Sequence, residues 1–168
     1  MHIMTVCLGN ICRSPAAESV LVRKLAEAGL DDVRVTSAGT ADYHIGKPAF
    51  ELTILEGEHR GYEFTTVAQQ FTAQHFAEAD LILAMDGSNV TNILRLAKNP
   101  EDRAKVVRMG AFATDHSQGI LDVPDPWGYP RDAFEAMYDQ LEDAVDGLVM
   151  AIKDGRVDEV ITQHGEGR

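Results

Sequence analysis

The chain opens with MHIMTVCLGNICRSPAAESVLVRKLAEAG, residues 1–29, and this stretch decides the fold. Residues 1–7 are short, apolar and β-prone, which predicts a buried strand. Ser14 is a good N-cap and Pro15 suits the first position of a helix, so a helix should follow at once. Gly29 predicts the end of that helix. The stretch therefore predicts a strand, a loop and a helix, with the loop at the carboxyl end of the strand.

The rest of the chain alternates strand and helix patterns. Further strands are predicted over residues 33–38, 81–85 and 105–109. Helices are predicted over residues 49–59, 72–78, 86–97 and 131–152, with loops over 40–48 and 116–130. The last helix has an apolar inner stripe formed by Phe134, Tyr138, Leu141, Val145, Leu148 and Ile152. The alternation requires right-handed crossovers and predicts an α/β fold with a parallel sheet and helices on both faces. We expect a single domain over residues 1–153 and a polar, loose tail over residues 154–168.

The 168 residues carry a formal net charge of −12. A nucleic-acid partner is not expected, because phosphate backbones require a basic face. An acidic protein can still bind a phosphate group at one strong positive site, which points to a loop. Membrane insertion is not expected, since no apolar stretch reaches spanning length. The chain reaches Cys7 too early for a secretion signal and its two cysteines suit thiols, so the sequence predicts a cytoplasmic protein.

The loop between the first strand and the first helix has the features of a phosphate site. A loop that separates Cys7 from Arg13 by five residues can wrap a tetrahedral oxyanion with inward-pointing backbone N–H groups. The helix N-terminus adds positive charge, and Arg13 can clamp two phosphate oxygens. The same field favours the thiolate of Cys7, which can attack phosphorus in line. The predicted phosphate-binding residues are Leu8, Gly9, Asn10, Ile11, Cys12, Arg13 and Ser14.

Three residues of this loop have predicted supporting roles. Gly9 allows positive φ or a close backbone approach. Asn10 tolerates the left-handed region and can brace the loop. Ser14 can donate a hydrogen bond to the thiolate and assist its departure. A leaving alkoxide also needs a proton from a carboxylic acid, for which Asp122, Asp125 and Asp132 are all candidates.

The segment Val6 to Pro15, followed by Ala17-Glu18, resembles the signature of the low-molecular-weight protein tyrosine phosphatases. Ser37-Ala38-Gly39-Thr40, Asp80 through Met85-Asp86, and Val123-Pro124-Asp125-Pro126 match the same family in order and spacing, so the resemblance covers nearly all of residues 1–152. It implies a flavodoxin-like four-stranded parallel sheet of order 2-1-3-4. It also implies hydrolysis of phosphotyrosine through a phosphocysteine on Cys7, with Asp125 as general acid and then base. No cofactor and no metal are expected.

The resemblance assigns further residues to the site. Tyr43 and Trp127 match aromatic pocket walls, and Leu8 and Ile11 can supply apolar contacts at the mouth. The related protein arginine phosphatases carry threonine where Ile11 stands, so Ile11 favours phosphotyrosine. Ser37 matches a serine that braces Asn10. Cys12 matches a cysteine that can form a reversible disulfide with the nucleophile.

Two segments depart from the family pattern. Thr66-Val67-Ala68-Gln69 stands where a His-x-Ala-Arg stretch is common, which predicts altered bracing of Asn10. Trp127-Gly128 replaces two adjacent tyrosines after Asp-Pro. The Trp127 form, with the long helix from Phe134 to Val149, is similar to bacterial members that act on tyrosine autokinases of polysaccharide export, so such a kinase is a candidate partner.

Other functions fit the residues less well. An arsenate reductase shares the fold and the loop but needs further cysteines, and none follows Cys12. A nucleotide-binding loop would need Gly-Lys-Ser/Thr. A zinc site built from His2, Cys7 and Cys12 lacks a fourth ligand. A phosphopeptide-binding module without turnover would have no need for both Cys7 and Asp125.

Overall fold

The computed structural model describes residues 1–167. Four parallel strands form one sheet in the order β2-β1-β3-β4: β1 His2–Cys7, β2 Arg34–Gly39, β3 Leu81–Ala84 and β4 Val106–Arg108. The helices are α1 Arg13–Glu27, α2 Glu51–His59, α3 His75–Glu78, α4 Gly87–Leu94, α5 Pro100–Ala104, α6 Arg131–Lys153 and α7 Val157–His164, and a 3-10 turn spans Met109–Phe112. The predicted fold class and strand order are confirmed.

The two faces of the sheet are buried in two separate apolar cores. Along β1, Ile3 packs in the core that contains α1 and α6, whereas Met4 and Val6 pack in the core on the opposite face. Adjacent residues of a strand point to opposite faces, so a central strand covered on both sides is predominantly apolar. This is why β3 appears in the sequence as a continuous apolar run, whereas β1 includes the buried polar residues His2 and Thr5, whose side chains are hydrogen-bonded. None of the helices within residues 1–167 combines the length and the apolar character needed to cross a bilayer.

Helix α6 closes the larger core along most of its predicted stripe. The buried side chains of that stripe are Phe134, Tyr138, Leu141, Val145 and Leu148, each 0% exposed. The last predicted member, Ile152, is half-buried at the edge of this core. The Tyr138 hydroxyl donates to the Thr53 carbonyl oxygen at 2.7 Å, which joins α6 to α2.

Helix α1 begins two residues earlier than the sequence predicts. Its N-cap is Cys12, and both Ser14 and Pro15 lie inside the first turn. The Ser14 hydroxyl does not cap the helix, because it lies against Cys7 and Asn10 instead. Proline is tolerated there, since the first-turn N–H groups of a helix have no partner within the helix. Gly29, at φ 72°, follows the end of the helix as expected.

The prediction of a loose tail over residues 154–168 is wrong for the residues that the structure describes. Helix α7 buries Val157, which is 6% exposed. Gly165 then pairs with Val107, and the Glu166 N–H donates to the Val106 carbonyl at 2.9 Å. The open edge of β4 supplies hydrogen-bonding groups that a short polar segment can satisfy. Polar composition alone did not reveal this docking.

The middle of α6 approaches the 3-10 turn too closely for any side chain at Gly147. A Cβ built on Gly147 would lie 1.8 Å from the Phe112 carbonyl oxygen. Alanine is normally better than glycine inside a helix by about 1 kcal/mol. We nevertheless expect Gly147→Ala to lower the free energy of unfolding by about 1–3 kcal/mol, because the clash involves backbone.

Gly87→Ala in α4 is the matched control, since a Cβ there meets no heavy atom within 4 Å. This variant should be stabilised by up to about 1 kcal/mol. Denaturant unfolding measures both proteins, and an equal gain in stability for the two alanines would contradict the close packing.

Candidate active site

The cysteine loop, residues 7–14, leaves the carboxyl end of β1 at the centre of the sheet. Backbone hydrogen bonds fix its outer turn. Thr40 N–H donates to the Cys7 carbonyl and Ala41 N–H to the Leu8 carbonyl, both at 2.9 Å. Phe50 N–H, at the start of α2, donates to the Ile11 carbonyl at 2.8 Å. The loop is thus held by the residues that follow β2 and by α2.

Gly39 lets the end of β2 lie directly against the cysteine loop. A Cβ on Gly39 would fall 2.7 Å from the Leu8 carbonyl oxygen and 2.9 Å from the Asn10 nitrogen. Gly9 makes a similar approach to the His44 ring, which would lie 3.0 Å from a Cβ at that position. At Gly39 the neighbouring atoms are backbone, so only glycine fits, whereas at Gly9 a Cβ would require the His44 ring to shift by a few tenths of an ångström. The two glycines therefore serve close approach.

Asn10 has φ 56°, the left-handed conformation. Its amide nitrogen donates to the Ser14 hydroxyl at 2.8 Å and to the Ser37 hydroxyl at 3.0 Å. Its amide oxygen accepts from the Gln69 N–H at 3.0 Å. Asn10 is 1% exposed, and three parts of the fold supply its partners.

The segment that departs from the family pattern supplies this last bond from its backbone. The Gln69 side chain also donates to the Ser37 carbonyl oxygen at 2.9 Å. Nearby, the Thr66 hydroxyl donates to the Glu18 carboxylate, and burial raises the pKa of Glu18 while the hydroxyl contacts lower it. The Asn10 amide thus has a partner for both its nitrogen and its oxygen, and the oxygen's partner comes from the segment that departs from the family pattern. Sequence reasoning missed Gln69 because a backbone donor leaves no side-chain signal.

Cys7 is 3% exposed at the base of the loop. Its sulfur lies 3.1 Å from the Ser14 hydroxyl and accepts from the Asn10 N–H at 3.3 Å. The Ser14 hydroxyl is also 3.3 Å from the Ala38 carbonyl oxygen. The Asn10 N–H, the Ser14 hydroxyl and the first turn of α1 thus lie around the sulfur.

Arg13 is buried, at 2% exposed, and its guanidinium is oriented by two acceptors. Nη1 donates to the Asp86 carboxylate at 2.6 Å and to the Val123 carbonyl at 2.9 Å. Asp86 also caps α4 by accepting from the Asn89 N–H at 2.8 Å. Arg13 Nη2 lies 3.8 Å from the Asp125 carboxylate. The sequence placed Asp86 at a helix start and in a segment that matches the family, but its contact with Arg13 arises from tertiary structure and was not predicted.

A cavity of about 230 Å³ opens above the cysteine loop. Its lining comes from the loop, from the turn after β2 and from residues 125–127. The lining residues are Cys7, Leu8, Gly9, Ile11, Cys12, Arg13, Tyr43, His44, Asp125 and Trp127. The predicted residues Asn10, Ser14 and Ser37 lie behind the loop as a buried support and do not line the cavity.

Of the three candidate acids, the structure brings Asp125 to the cavity. Its carboxylate accepts from the Trp127 N–H at 3.1 Å, and its side chain is 43% exposed. Asp122 instead pairs with Arg108 at 3.1 Å. Asp132 lies exposed in the first turn of α6. The geometry thus separates residues that the sequence alone left equivalent.

The mouth of the cavity is aromatic. The Trp127 ring contacts Phe50 edge-on at 4.7 Å between centroids and lies 5.8 Å from the His44 ring. Tyr43 is 66% exposed and Trp127 is 50% exposed, so both can receive a flat group. Sequence reasoning missed His44 and Phe50. Their signal was weak, since each is a single residue in an irregular segment.

Cys12 is the second thiol of the loop and is 4% exposed. Neither cysteine takes part in a disulfide. Burial raises the pKa of the Cys12 thiol to about 12, and the nearby Cys7 adds to the rise. Cys12 is therefore protonated near neutral pH.

This fold and this site define a cysteine-dependent phosphatase. The model of the low molecular weight phosphotyrosine protein phosphatases matches residues 2–158, so the chain belongs to that family. The family is one of hydrolases that act on phosphotyrosine, and the resemblance predicted from the sequence is confirmed.

Several relatives support this assignment. A low molecular weight protein-tyrosine-phosphatase of Streptomyces coelicolor is 38% identical over 154 residues, which are 91% of this chain and 94% of that protein. A putative low molecular weight protein-tyrosine-phosphatase of Synechocystis is 41% identical, over 90% and 96% of the two chains. The crystal structure of a protein tyrosine phosphatase from Entamoeba histolytica, with Hepes in its active site, superposes with a TM-score of 0.87 at 33% identity, over 94% and 99% of the chains.

Proposed function

We propose that this phosphatase hydrolyses phosphotyrosine through a phosphocysteine on Cys7, with Arg13 binding the phosphate and Asp125 as general acid and base. The observation that carries the proposal is the convergence of Cys7, Arg13 and Asp125 on one cavity of about 230 Å³. Cys7 and Arg13 come from one loop, whereas Asp125 lies more than 100 residues further along the chain and meets them only in the folded protein.

The first step transfers the phosphoryl group to sulfur. The Cys7 thiolate attacks phosphorus, the S–P bond forms, and the bond from phosphorus to the tyrosine oxygen breaks. Asp125 gives its proton to that oxygen. Arg13 and the backbone N–H groups of residues 8–14 stabilise the charge on the phosphoryl oxygens. The carboxylate left on Asp125 lies 3.8 Å from the Arg13 guanidinium.

The second step returns the enzyme to its starting state. Asp125 takes a proton from a water molecule, and the water oxygen attacks phosphorus. The S–P bond then breaks, which releases inorganic phosphate and the Cys7 thiolate. The Ser14 hydroxyl, 3.1 Å from the sulfur, can donate to the departing thiolate.

The walls of the cavity support an aromatic ester as substrate. Leu8 and Ile11 line it with apolar groups, and Tyr43 and Trp127 flank the opening with rings. A tyrosine ring can pack between them, whereas the short side chain of phosphoserine would leave these walls without contact.

We expect Cys7→Ser to abolish turnover of a phosphotyrosine peptide and of phenyl phosphate, with EDTA present throughout. Asp125→Ala should lower kcat/KM for phenyl phosphate by about 100-fold or more. The loss should be much smaller for p-nitrophenyl phosphate, because its more acidic phenol leaves without a proton. Parallel assays on phosphoserine and phosphoarginine peptides should give far lower kcat/KM. Turnover by Cys7→Ser, or a preference for phosphoarginine, would contradict the proposal.

The proposed partners are phosphotyrosine proteins of the cytoplasm, among them a bacterial tyrosine autokinase. The support is the tryptophan at position 127 in the cavity wall, together with the long helix α6, which spans Arg131–Lys153. Cys7→Ser should retain phosphate binding without turnover and therefore trap a phosphorylated kinase. Capture of the kinase that is lost on adding vanadate would support the partner, and captured phosphotyrosine proteins without such a kinase would reject it.

We further propose that Cys12 protects Cys7 from irreversible oxidation. Peroxide would convert the Cys7 thiolate to a sulfenic acid, and the Cys12 thiolate would then displace hydroxide to form a disulfide. Since the pKa of Cys12 is raised to about 12, its thiolate fraction grows about tenfold per pH unit through neutrality. Disulfide closure should therefore accelerate as the pH rises. Intact mass should show the loss of two hydrogens, and retention of that loss in Cys12→Ser would refute the pairing.

A further inference from the structure

The C-terminal segment, residues 154–167, approaches the loop that carries Asp125. After α7, Gly165 pairs with Val107 on the outer edge of β4, and the Glu166 N–H donates to the Val106 carbonyl at 2.9 Å. A Cβ on Gly165 would lie 2.6 Å from the Ile161 carbonyl oxygen. The turn out of α7 is thus tight and places the Glu166 side chain at one position along β4.

Arg108, the last residue of β4, connects this segment to the Asp125 loop, residues 116–130. Its Nε donates to the Glu166 carboxylate at 2.5 Å. Its Nη1 donates to the Asp122 carboxylate at 3.1 Å and lies 3.4 Å from the Ile120 carbonyl oxygen. The Arg108 side chain is 27% exposed and the Glu166 side chain 25%, so both are largely shielded from water. Partial burial makes such a charge pair stronger than an open surface pair.

Further hydrogen bonds hold the loop at Val123 and at the Asp122 carbonyl. Val123 N–H donates to the Met85 carbonyl at 2.8 Å, and the Val123 carbonyl accepts from Arg13 at 2.9 Å. On the other side, Gln140 of α6 donates to the Asp122 carbonyl at 2.8 Å. Asp122 and Val123 are therefore pinned by β3, α6 and Arg108 together.

The chain from this pinned point to Asp125 is stiff. Pro124 and Pro126 fix their own φ angles and restrict the residue before each of them. Few backbone angles are left free between Asp122 and Asp125, so a shift at Asp122 that strains the Val123 bonds also moves Asp125. The Asp125 carboxylate is half-exposed, and its nearest partners are the Trp127 N–H at 3.1 Å and Arg13 at 3.8 Å.

A second contact joins the C-terminal segment to the start of the same loop. The His164 ring at the end of α7 meets the His116 ring edge-on, with centroids 5.5 Å apart. His116 in turn lies 3.2 Å from the Gly110 carbonyl oxygen. The segment thus touches the Asp125 loop near its beginning and, through Arg108, near its middle.

We propose that Arg108 and Glu166 are positioning residues that hold the Asp125 loop in its working place, so that the C-terminal segment sets the efficiency of proton donation. The inference rests on the proposed role of Asp125 as general acid. Neither side chain lines the cavity above the cysteine loop, so their effect on the reaction passes through the loop.

The test compares two substrates in each of several variants. Arg108→Met should lower kcat/KM for phenyl phosphate by about tenfold, since small misplacements of a catalytic group are costly. It should lower kcat/KM for p-nitrophenyl phosphate by less than about twofold, because that leaving group needs no proton. Glu166→Gln, which keeps the shape of the side chain, should shift the ratio of the two values in the same direction by a smaller factor. Arg108→Lys keeps the positive charge and should therefore lose less kcat/KM for phenyl phosphate than Arg108→Met.

Arg156→Met is the matched control, because Arg156 lies in the same C-terminal segment and pairs with Asp154 at 3.3 Å, away from the loop. It should leave both substrates unchanged. Equal losses on the two substrates in Arg108→Met would indicate a general structural role and overturn the proposal. If that variant fails to fold, as judged by thermal unfolding, an unchanged ratio in Glu166→Gln overturns it instead.

Asp125→Ala, measured alongside, separates this inference from the proposed function. A leaving-group-dependent loss in Asp125→Ala with none in Arg108→Met and Glu166→Gln would reject the positioning role alone. If the loss in Asp125→Ala did not depend on the leaving group, Asp125 would not be the general acid, and both proposals would be rejected.

Discussion

The side-chain amide of Asn10 is bonded to three elements at once, and the shape of the cysteine loop depends on those bonds. The left-handed conformation costs a non-glycine residue about 1–2 kcal/mol. Bonds to the Ser14 and Ser37 hydroxyls and from the Gln69 N–H each contribute about 1 kcal/mol. Together the three bonds outweigh that cost, and the loss of any one of them removes most of the surplus. The shape of the loop is therefore stabilised by the end of β2, the start of α1 and the segment around Gln69 together.

The same packing explains how an acidic protein concentrates positive charge at one point. The chain has a net charge of −12, yet the base of the cavity presents a buried arginine and the first turn of α1. Burying Arg13 alone would be costly, and the Asp86 carboxylate at 2.6 Å offsets that cost. Asp86 also withdraws one guanidinium nitrogen from any ligand. The backbone N–H groups of the loop must then supply much of the attraction for a phosphate. Because these groups are neutral, a nearby carboxylate does not cancel their effect as Asp86 partly cancels the charge of Arg13.

How much of this could be read from the sequence depends on the kind of interaction. Strand β3 was predictable because burial on both faces leaves a continuous apolar run, and β1 because it is short, mostly apolar and β-prone. The cysteine loop was predictable because its residue types are rare together. Helix α7 was not, since only Val157 among its residues is buried and its docking uses backbone groups on β4. The start of α1 was misplaced because the Ser14 hydroxyl is engaged with Cys7 instead of the helix end. The Gln69 brace and the contact between Asp86 and Arg13 exist only once distant segments meet.

The topology explains why the proposed nucleophile and acid can meet although they are far apart in sequence. Strands β1 and β3 are neighbours, so Cys7 at the end of one lies beside Met85 after the other. The Val123 N–H donates a hydrogen bond to the Met85 carbonyl, so the Asp125 loop is attached at the same edge of the sheet. The nucleophile is thereby built into the core, whereas the acid is held by a few bonds at the periphery. Such a division suits the proposed chemistry, because the sulfur must stay fixed beneath the phosphate while the carboxyl must serve two different oxygen atoms in turn.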